Sequence, residues 1–478
     1  MKTVIGLEVH VHLDTESKCF CGCSTKFGQQ PNSQTCPVCL GFPGSLPVLN
    51  QRALQLALKS ALALNCQVGG FIKFDRKNYF YPDLPKNFQI SQYDLPIAED
   101  GWLDADTPSG PKKIRIKRAH LEEDAGKLVH PEKGNLSLVD FNRCGTPLLE
   151  IVTEPDINSP DEAQSYLLSL KAILEYLEVS DCNMEEGSLR CDANISLMAE
   201  DAKRLGQKVE LKNMNSFKGV AQALEYEIQR QAELLNKNKS VVQETRLWDT
   251  QKCITVSMRS KEQAHDYRYF PEPDLVPFIL DKEYIDQIKQ SLPELPKQKA
   301  QRFVREFQIP EYDAGVLTQD KPLAEYFEAC IKLYDQPKVI SNWIMTELLA
   351  QMNSRNISVR QLQIKPKSFV ALLEMIGQGT ISGKIAKQIL PQMLDTKKEA
   401  GDIVRDSGMQ QIKDTGELKG IVGEVIAENP KPVDDYHQGK QGAFMFLIGQ
   451  IMRKSRGKAN PQIANQILKQ QLERGEDA

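Results

Sequence analysis

Four short stretches alternate acidic, basic or imidazole side chains with mostly apolar ones. They are Glu8-Val9-His10-Val11-His12, Leu149-Glu150-Ile151-Val152-Thr153-Glu154, Arg190-Cys191-Asp192-Ala193-Asn194 and Lys208-Val209-Glu210-Leu211-Lys212. A β-strand sends successive side chains to opposite faces. Read as strands, the stretches put Glu8 with His10 and His12, Glu150 with Glu154, Arg190 with Asp192 and Asn194, and Lys208 with Glu210 and Lys212. Carboxylates, imidazoles and lysines on one sheet face make the floor of a site for a metal and a phosphorylated substrate. The run His120-Leu121-Glu122-Glu123-Asp124-Ala125-Gly126-Lys127 adds further acids. Carboxylate oxygens with one imidazole and room for water suit Mg2+, a hard ion that bridges phosphate groups. Lys77, in Asp75-Arg76-Lys77-Asn78-Tyr79, supplies a charge to balance phosphate. Any one of these acids alone reads as a solvated surface charge. Their recurrence on one face is the signal.

The cysteines carry a second pattern. Of the 11 in the chain, five cluster as Cys19-Phe20-Cys21-Gly22-Cys23 and Cys36-Pro37-Val38-Cys39. Two close pairs joined by a loop match a tetrahedral zinc site, because each pair chelates from one tight turn. Cys21, Cys23, Cys36 and Cys39 are the expected ligands, and four thiolates make the site closed and structural. Cys19 is a stand-in ligand or a packed side chain. The competing reading is five buried or reactive thiols without a metal. An odd cysteine count argues against a disulfide framework.

Two phosphate-cradling motifs fail. Gly126-Lys127 is followed by Leu128, and no glycine stands five residues before Gly126, so there is no Walker A loop. No G-x-G-x-x-G opens a helix after a strand. If ATP is used, side chains and metal must hold its phosphates. Asp266-Tyr267-Arg268-Tyr269-Phe270-Pro271-Glu272-Pro273-Asp274 is a Pro-bound aromatic and charged stretch, either a site rim that stacks on a base or a packed surface loop. From His437 to Leu472 there is no acidic residue, and Lys440, Arg453, Lys454, Arg456, Lys458 and Lys469 lie there. That basic bias suits phosphate contacts; a solvated helix pair is the alternative.

The elements that must position these groups fall into blocks. At 478 residues the chain is too long for one core. Its 41% hydrophobic and 26% charged residues are ordinary for a globular protein, and its net charge of −4 leaves any nucleic-acid grip to a local patch. No apolar run approaches the ~20 residues of a membrane span. The N-terminus starts a strand pattern without a signal or transit peptide, so a cytoplasmic bacterial protein or a mature organellar one is expected. Residues 1–292 read as α+β around a largely antiparallel sheet. Strand runs fall at 3–13, 112–119, 137–142, 148–154, 188–197, 207–213 and 254–259. Helices run from Gln51, from Ser159-Pro160, and over Phe217 to Asn236. Leu292-Pro293-Glu294-Leu295-Pro296 marks a boundary. Residues 293–401 read as an all-α domain, and 402–478 as a small all-α tail of three or four helices.

Several motifs together resemble one family. Val4-Ile-Gly-Leu-Glu8-Val-His10, Phe74-Asp-Arg-Lys-Asn-Tyr79-Phe-Tyr81-Pro-Asp83, Glu122-Glu-Asp-Ala-Gly126-Lys127, Met184-Glu-Glu-Gly-Ser-Leu-Arg-Cys-Asp192-Ala-Asn194, Glu210-Leu-Lys-Asn213 and the Asp266–Asp274 stretch closely resemble the B subunit family of aspartyl/glutamyl-tRNA amidotransferases, GatB. The likeness runs to the tail, at Gly449-Gln-Ile-Met452 and Gly457-Lys-Ala-Asn-Pro461. The related GatE subunits carry a large inserted domain for which this chain has no room. The resemblance implies a cradle domain, a helical domain and a YqeY-like tail. It implies an ATP-dependent carbon–nitrogen ligase that phosphorylates the side-chain carboxylate of misacylated Glu-tRNA(Gln) or Asp-tRNA(Asn) and amidates it with ammonia. It also implies a heterotrimer with a GatA-type glutaminase and a GatC-type small subunit. By resemblance Glu8, His10, Glu122, Glu123, Glu150 and Asp192 hold Mg2+, and Lys77, Tyr79, Glu122, Glu123 and Asp192 serve catalysis. The tail, at Lys454, Arg456 and Lys458, grips tRNA. Zinc belongs to members with the paired cysteines. Ser382-Gly383-Lys384 departs from a Ser-Ser-Lys form, which puts a local helix cap or tRNA contact in doubt. No nucleophile with a partner base is visible, so ammonia must come from another subunit. A non-catalytic, zinc-containing tRNA-binding scaffold is the competing reading, and a phosphotransferase acting on a small molecule is a third.

Overall fold

The computed structural model describes residues 1–131, 135–199, 202, 204–260, 267–407, 415–455 and 458–474. It divides into two units, Met1–Gln298 and Lys299–Ala478. The division falls just past Leu292-Pro293, because Leu292 and Leu295 pack on the core of the first unit.

The first unit is built on a nine-stranded sheet. In spatial order its strands are Ile254–Ser260, Glu244–Asp249, Val209–Met214, Leu189–Met198, Lys2–His12, Pro147–Thr153, Gly110–Glu123, Ala98–Thr107 and Gln67–Val68. Lys2–His12 alternates as expected. Leu7, Val9 and Val11 are buried, while Glu8, His10 and His12 are half-buried on the other face. The buried set packs with Leu149 and Ile151 of the neighbouring strand and with Tyr166, Leu167, Val220 and Leu224 from two helices. Each such side chain contributes roughly 1.5–3 kcal/mol on full burial, which fixes the register, because a one-residue slip would swap the two faces.

The helices begin where the capping residues stand. The Ser159 hydroxyl accepts from Glu162 N ahead of Pro160–Tyr176, and Ser216 does the same for Gly219 N ahead of Phe217–Asn236. Among the described residues the pairings are antiparallel except one. Val209–Met214 runs parallel to Glu244–Asp249, and the helix Phe217–Asn236 is the crossover that a parallel pair requires. Ala98–Thr107 and Glu244–Asp249, which composition does not announce, complete the sheet. Leu138–Asp140 leaves it and pairs with Lys127–Val129 in a separate ribbon. A three-stranded ribbon of Phe270–Pro271, Asp75–Asn78 and Phe88–Ser91 is closed by Arg76, whose Nε and Nη2 each lie 2.8 Å from the buried Glu272 carboxylate.

Among the described residues the second unit is helical throughout. Its helices include Lys321–Leu333, Pro366–Gly377 and Gly383–Thr396, and a π-helical turn at Ile344–Leu348 joins Pro337–Trp343 to Leu349–Arg355. Ser382 keeps the cap placed in doubt above: its hydroxyl accepts from Ile385 N at 3.3 Å, so a neighbouring serine is not needed. The tail helices Thr415–Glu428, Pro430–His437, Gln441–Lys454 and Pro461–Arg474 gather a core of their own, with Leu418, Val422, Leu447, Ile451 and Leu468 buried. Among the described residues no helix is long and apolar enough to cross a membrane.

Candidate functional site

The polar face of the sheet floors a cavity of about 970 Å³. Register brings its centre together. His10 lies opposite Glu150 on one neighbouring strand and Arg190 on the other, Glu8 lies opposite Asp192, and Glu150 lies opposite His120. The ring Nε2 of His10 is 3.3 Å from a Glu150 oxygen, 3.8 Å from Glu8 and 3.9 Å from Glu122. His120 Nε2 is 3.3 Å from the same Glu150 oxygen and 3.4 Å from Glu122. The Ser91 hydroxyl donates to Glu122 at 2.9 Å.

The electrostatics follow from this packing. Burial would push Glu150 up, but His120 and His10 hold it well below the usual carboxylate range. Burial likewise opposes the His120 cation, yet Glu150 and Glu122 raise its pKa to about 9. Glu8 is pushed up, by burial first and then by the Glu150 charge. Lys77 reaches in from the ribbon and stands 5.2 Å from the Tyr267 ring centroid and 5.7 Å from that of Tyr79. Burial disfavours its charge, but Glu122 and other neighbours hold its pKa above the ordinary lysine value. A second polar cluster lies along the same floor. Asp124 receives His12 Nε2 at 2.6 Å, Arg190 Nη2 at 2.8 Å and Arg143 Nε at 3.3 Å. Against its burial, Arg190 and Arg143 hold its pKa well below the ordinary value.

Most residues named from the sequence therefore meet. Glu8, His10, Lys77, Tyr79, Glu122, Glu150 and Asp192 all line the cavity. Asp192 is engaged by Lys212 and stands outside the two carboxylate–imidazole groups that could hold a metal, Glu8-His10-Glu150 and His120-Glu122-Glu150. Glu123 is a correction. The strand Gly110–Glu123 runs through the acidic stretch, so alternation sends Glu122 to the cavity and turns Glu123 away. Glu123 instead accepts from Lys86 and from Ile90 N, beside the cysteine loop. Glu154 is a second. A register shift between Val152 and Thr153 ends the alternation, and Glu154 is not among the cavity residues. His120, Asp124, Arg190 and Tyr269, which stand in the motifs named from the sequence without a metal or catalytic role of their own, also line the cavity. A strand drawn through Glu123 finds His120 by its two-residue spacing from Glu122.

The Sγ atoms of Cys21, Cys23, Cys36 and Cys39 all lie within 4.8 Å of one another. Sulfurs about 2.3 Å from a tetrahedral zinc stand about 3.8 Å apart, and those of Cys36 and Cys39 are 3.9 Å apart. Cys39 is held down to about 4, first by a hydrogen bond with Cys21 and further by the Lys18 charge. The fully buried Lys18 places its ammonium 3.6 Å from the Cys39 sulfur. The four donors fit zinc. Cys19 is buried and outside this set.

The tail is less basic than its sequence. The segment without acids folds against acids from elsewhere: Lys454 pairs with Glu424 and Glu428 at 2.7 and 2.5 Å, and Lys440 with Asp435 at 2.8 Å. Lys458 is half-buried. Arg456 and Asp266 lie outside the described residues.

Comparison with known proteins agrees with this geometry. A family model for the GatB/GatE catalytic domain matches residues 3–286, and one for a GatB domain matches residues 325–472. The B subunit of the aspartyl/glutamyl-tRNA(Asn/Gln) amidotransferase of Carboxydothermus hydrogenoformans is 54% identical over 476 residues, 98% of each chain. That of Thermoanaerobacter sp. is 54% identical over 471 residues, 98% of this chain and 99% of its own. That of Thermodesulfovibrio yellowstonii is 52% identical over 467 residues, 98% of each. With a catalytic-domain match over more than half its length and such likeness from end to end, the chain belongs to the GatB family of tRNA-dependent amidotransferase subunits.

Proposed function

We propose that this chain is the amidating subunit of a cytoplasmic heterotrimer with a GatA-type glutaminase and a GatC-type small subunit. In it, ATP phosphorylates the side-chain carboxylate of Glu-tRNA(Gln), Asp-tRNA(Asn) or both. A carboxylate oxygen takes the γ-phosphoryl group and ADP leaves. Ammonia from the glutaminase then adds to the acyl phosphate carbon, phosphate departs, and an amide remains. The observation that carries this reading is the row of half-buried His10 with buried Glu150 and His120, with Glu122 and Lys77 facing it in one polar cavity.

An unactivated carboxylate repels nucleophiles and has no good leaving group. Phosphoryl transfer asks chiefly for in-line positioning and charge neutralisation. Glu8, His10, Glu122 and Glu150 are the residues that would hold Mg2+, with Asp192 beside them. When bound, the ion would neutralise phosphate charge and orient its oxygens. Lys77 would offset charge developing on the transferred group, and Tyr79 and Tyr267 keep its ammonium from wandering. Lys212 pairs with Asp192 at the edge of the floor. The four thiolates would hold zinc in a closed, structural role.

Adding ATP and Glu-tRNA(Gln) to the complex is expected to release ADP in step with amide. A scaffold subunit would release none, and that result would overturn the reading. Asp192→Ala is expected to lower amide formation by about a hundredfold or more while the partner's glutaminase persists; unchanged amidation would remove Asp192 from the site.

The tail, read as a YqeY-like domain over 402–478 beside a helical domain over 293–401, would grip the tRNA. Because Lys454 is already paired with two glutamates, Lys454→Ala alone should change affinity little. Replacing Lys454, Arg456 and Lys458 together should weaken binding and make the log–log salt dependence shallower by about 0.7–0.9 per lost phosphate contact. Filter binding at two salt concentrations measures both effects.

A further inference from the structure

Resting on the function proposed above for the identity of the substrate, we propose that Arg143 and Arg190 bind the side-chain carboxylate of the aminoacyl group, the one to be amidated, at a subsite of their own in the cavity. Both guanidiniums converge on a single protein carboxylate. Asp124 Oδ2 lies 2.8 Å from Arg190 Nη2 and 3.3 Å from Arg143 Nε, and it also receives His12 Nε2 at 2.6 Å. The other oxygen, Oδ1, accepts from Ala125 N at 2.9 Å. Asp124 is thus buried and fully engaged, while the side chains of Arg143 and Arg190 stay 33% and 37% exposed and line the cavity.

Two guanidiniums against one carboxylate leave a positive charge uncompensated at this end of the cavity. Elsewhere on the floor cations meet acids: Lys212 pairs with Asp192 and lies 3.6 Å from Glu210, and Arg118 lies 3.9 Å from Glu150. Nor are the arginines used up in bracing the fold. Arg143 is oriented by the carbonyls of Ala125 and Gly126, at 3.0 and 2.6 Å, and Arg190 Nε has no hydrogen-bond partner among the described residues. A planar guanidinium fork matches a carboxylate or a phosphate. Two observations favour the carboxylate. The single spare charge suits one carboxylate better than a triphosphate, and Leu148, buried opposite His12, lines the same end and offers apolar surface to the methylene stem of an acidic side chain. His12 stands two residues beyond His10 on its strand, so this end lies about 7 Å from the His10 and Glu150 row. A carboxylate held there can turn one oxygen toward a phosphoryl group at that row. The amide formed from it is neutral and loses the ion pair, which favours its release.

Binding without ATP tests the subsite apart from phosphoryl transfer. The full complex is titrated with Glu-tRNA(Gln), Gln-tRNA(Gln) and the uncharged tRNA. Wild type should bind the glutamyl form about tenfold or more tighter than the glutaminyl form, because a neutral amide makes no ion pair with a guanidinium. Arg190→Gln should erase that preference and leave the affinity for uncharged tRNA as in wild type. No preference in wild type, or an undiminished one in Arg190→Gln, would overturn the subsite and leave the proposed function standing, since that function is read from ADP release. A wild-type complex that releases no ADP would remove the phosphorylation, and the preference would still be measured. ADP titrated into the same variant separates the two anions: weakened ADP binding with the preference intact would give the arginines to phosphate and overturn the proposal. If Arg190→Gln does not fold, Arg143→Gln takes its place with the same expected and overturning results.

Discussion

Glu150→Gln is expected to lower amide formation on Glu-tRNA by about a thousandfold or more, near 4 kcal/mol of transition-state stabilisation. The substitution keeps the shape of the side chain and removes one charge. That charge sits between His10 and His120, at 3.3 Å from each, and is held ionised against its burial. Glutamine would turn an amide N–H2 or a weaker acceptor toward both rings, and both metal-holding groups share this one residue. Breaking a buried pair also costs stability, roughly 3–5 kcal/mol when a partner is left uncompensated. A fall in melting temperature of some degrees is therefore expected alongside, and activity must be read well below it. Two controls isolate the chemistry. Glutamine hydrolysis by the partner should survive in some form, because the proposed function gives that chemistry to the other subunit. Glu154→Gln, four residues on but past the register shift and outside the cavity, should leave amidation near wild type. Amidation by Glu150→Gln within tenfold of wild type would move the reacting centre elsewhere.

The contrast between Glu150 and Glu154 shows what the chain discloses and what it hides. Alternation is local and physical, so spacing alone puts Glu8, His10, Glu150, Asp192 and Lys212 on charged strand faces, and all five line the cavity. A bulge is a tertiary accommodation with no signature in Thr153-Glu154, and there the same rule fails. Glu123 fails for a related reason. Composition presents the acidic run as a group, and only the continuation of the strand through it tells which members face together. Charge partners are the other hidden layer. The absence of acids from 437 to 472 suggests an open basic patch, yet Glu424 and Glu428 come from another tail helix to meet Lys454. Asp124 likewise finds His12, Arg143 and Arg190 from three other segments. Pairings at such separations depend on topology, which one-dimensional spacing does not encode.

Loss of metal from the four-cysteine loop should produce the second large effect, first in local order and only then in activity. Between Leu13 and Asn50 the chain has no helix or strand beyond an isolated bridge of Ser17 with Ser24. Phe20 packs in the core, but the other large apolar side chains Phe27, Phe42, Leu46 and Val48 are exposed, so little hydrophobic burial holds the rest of the segment. With zinc held as proposed, metal–thiolate bonding would be the main local source of stability, and such sites commonly unfold without their ion. Cys36→Ser is expected to abolish about one equivalent of zinc and to speed amide hydrogen exchange across residues 17–46 by a hundredfold or more, equivalent to about 3 kcal/mol of local protection. The disturbance has a defined route to the cavity. Cys19 N donates to Gly145 O at 2.8 Å, and Gly145 N donates to Asp124 O at 2.8 Å. A side chain at Gly145, which sits at φ +85°, would meet Lys18 and Cys39 at 3.3 and 3.5 Å. Arg143 and Asp124 stand at the end of that chain, so amidation should fall several-fold, far less than for Glu150→Gln. The difference in magnitude separates a support from a reacting centre. A Cys36→Ser protein that kept its zinc and its exchange protection would show that this loop is held by packing alone.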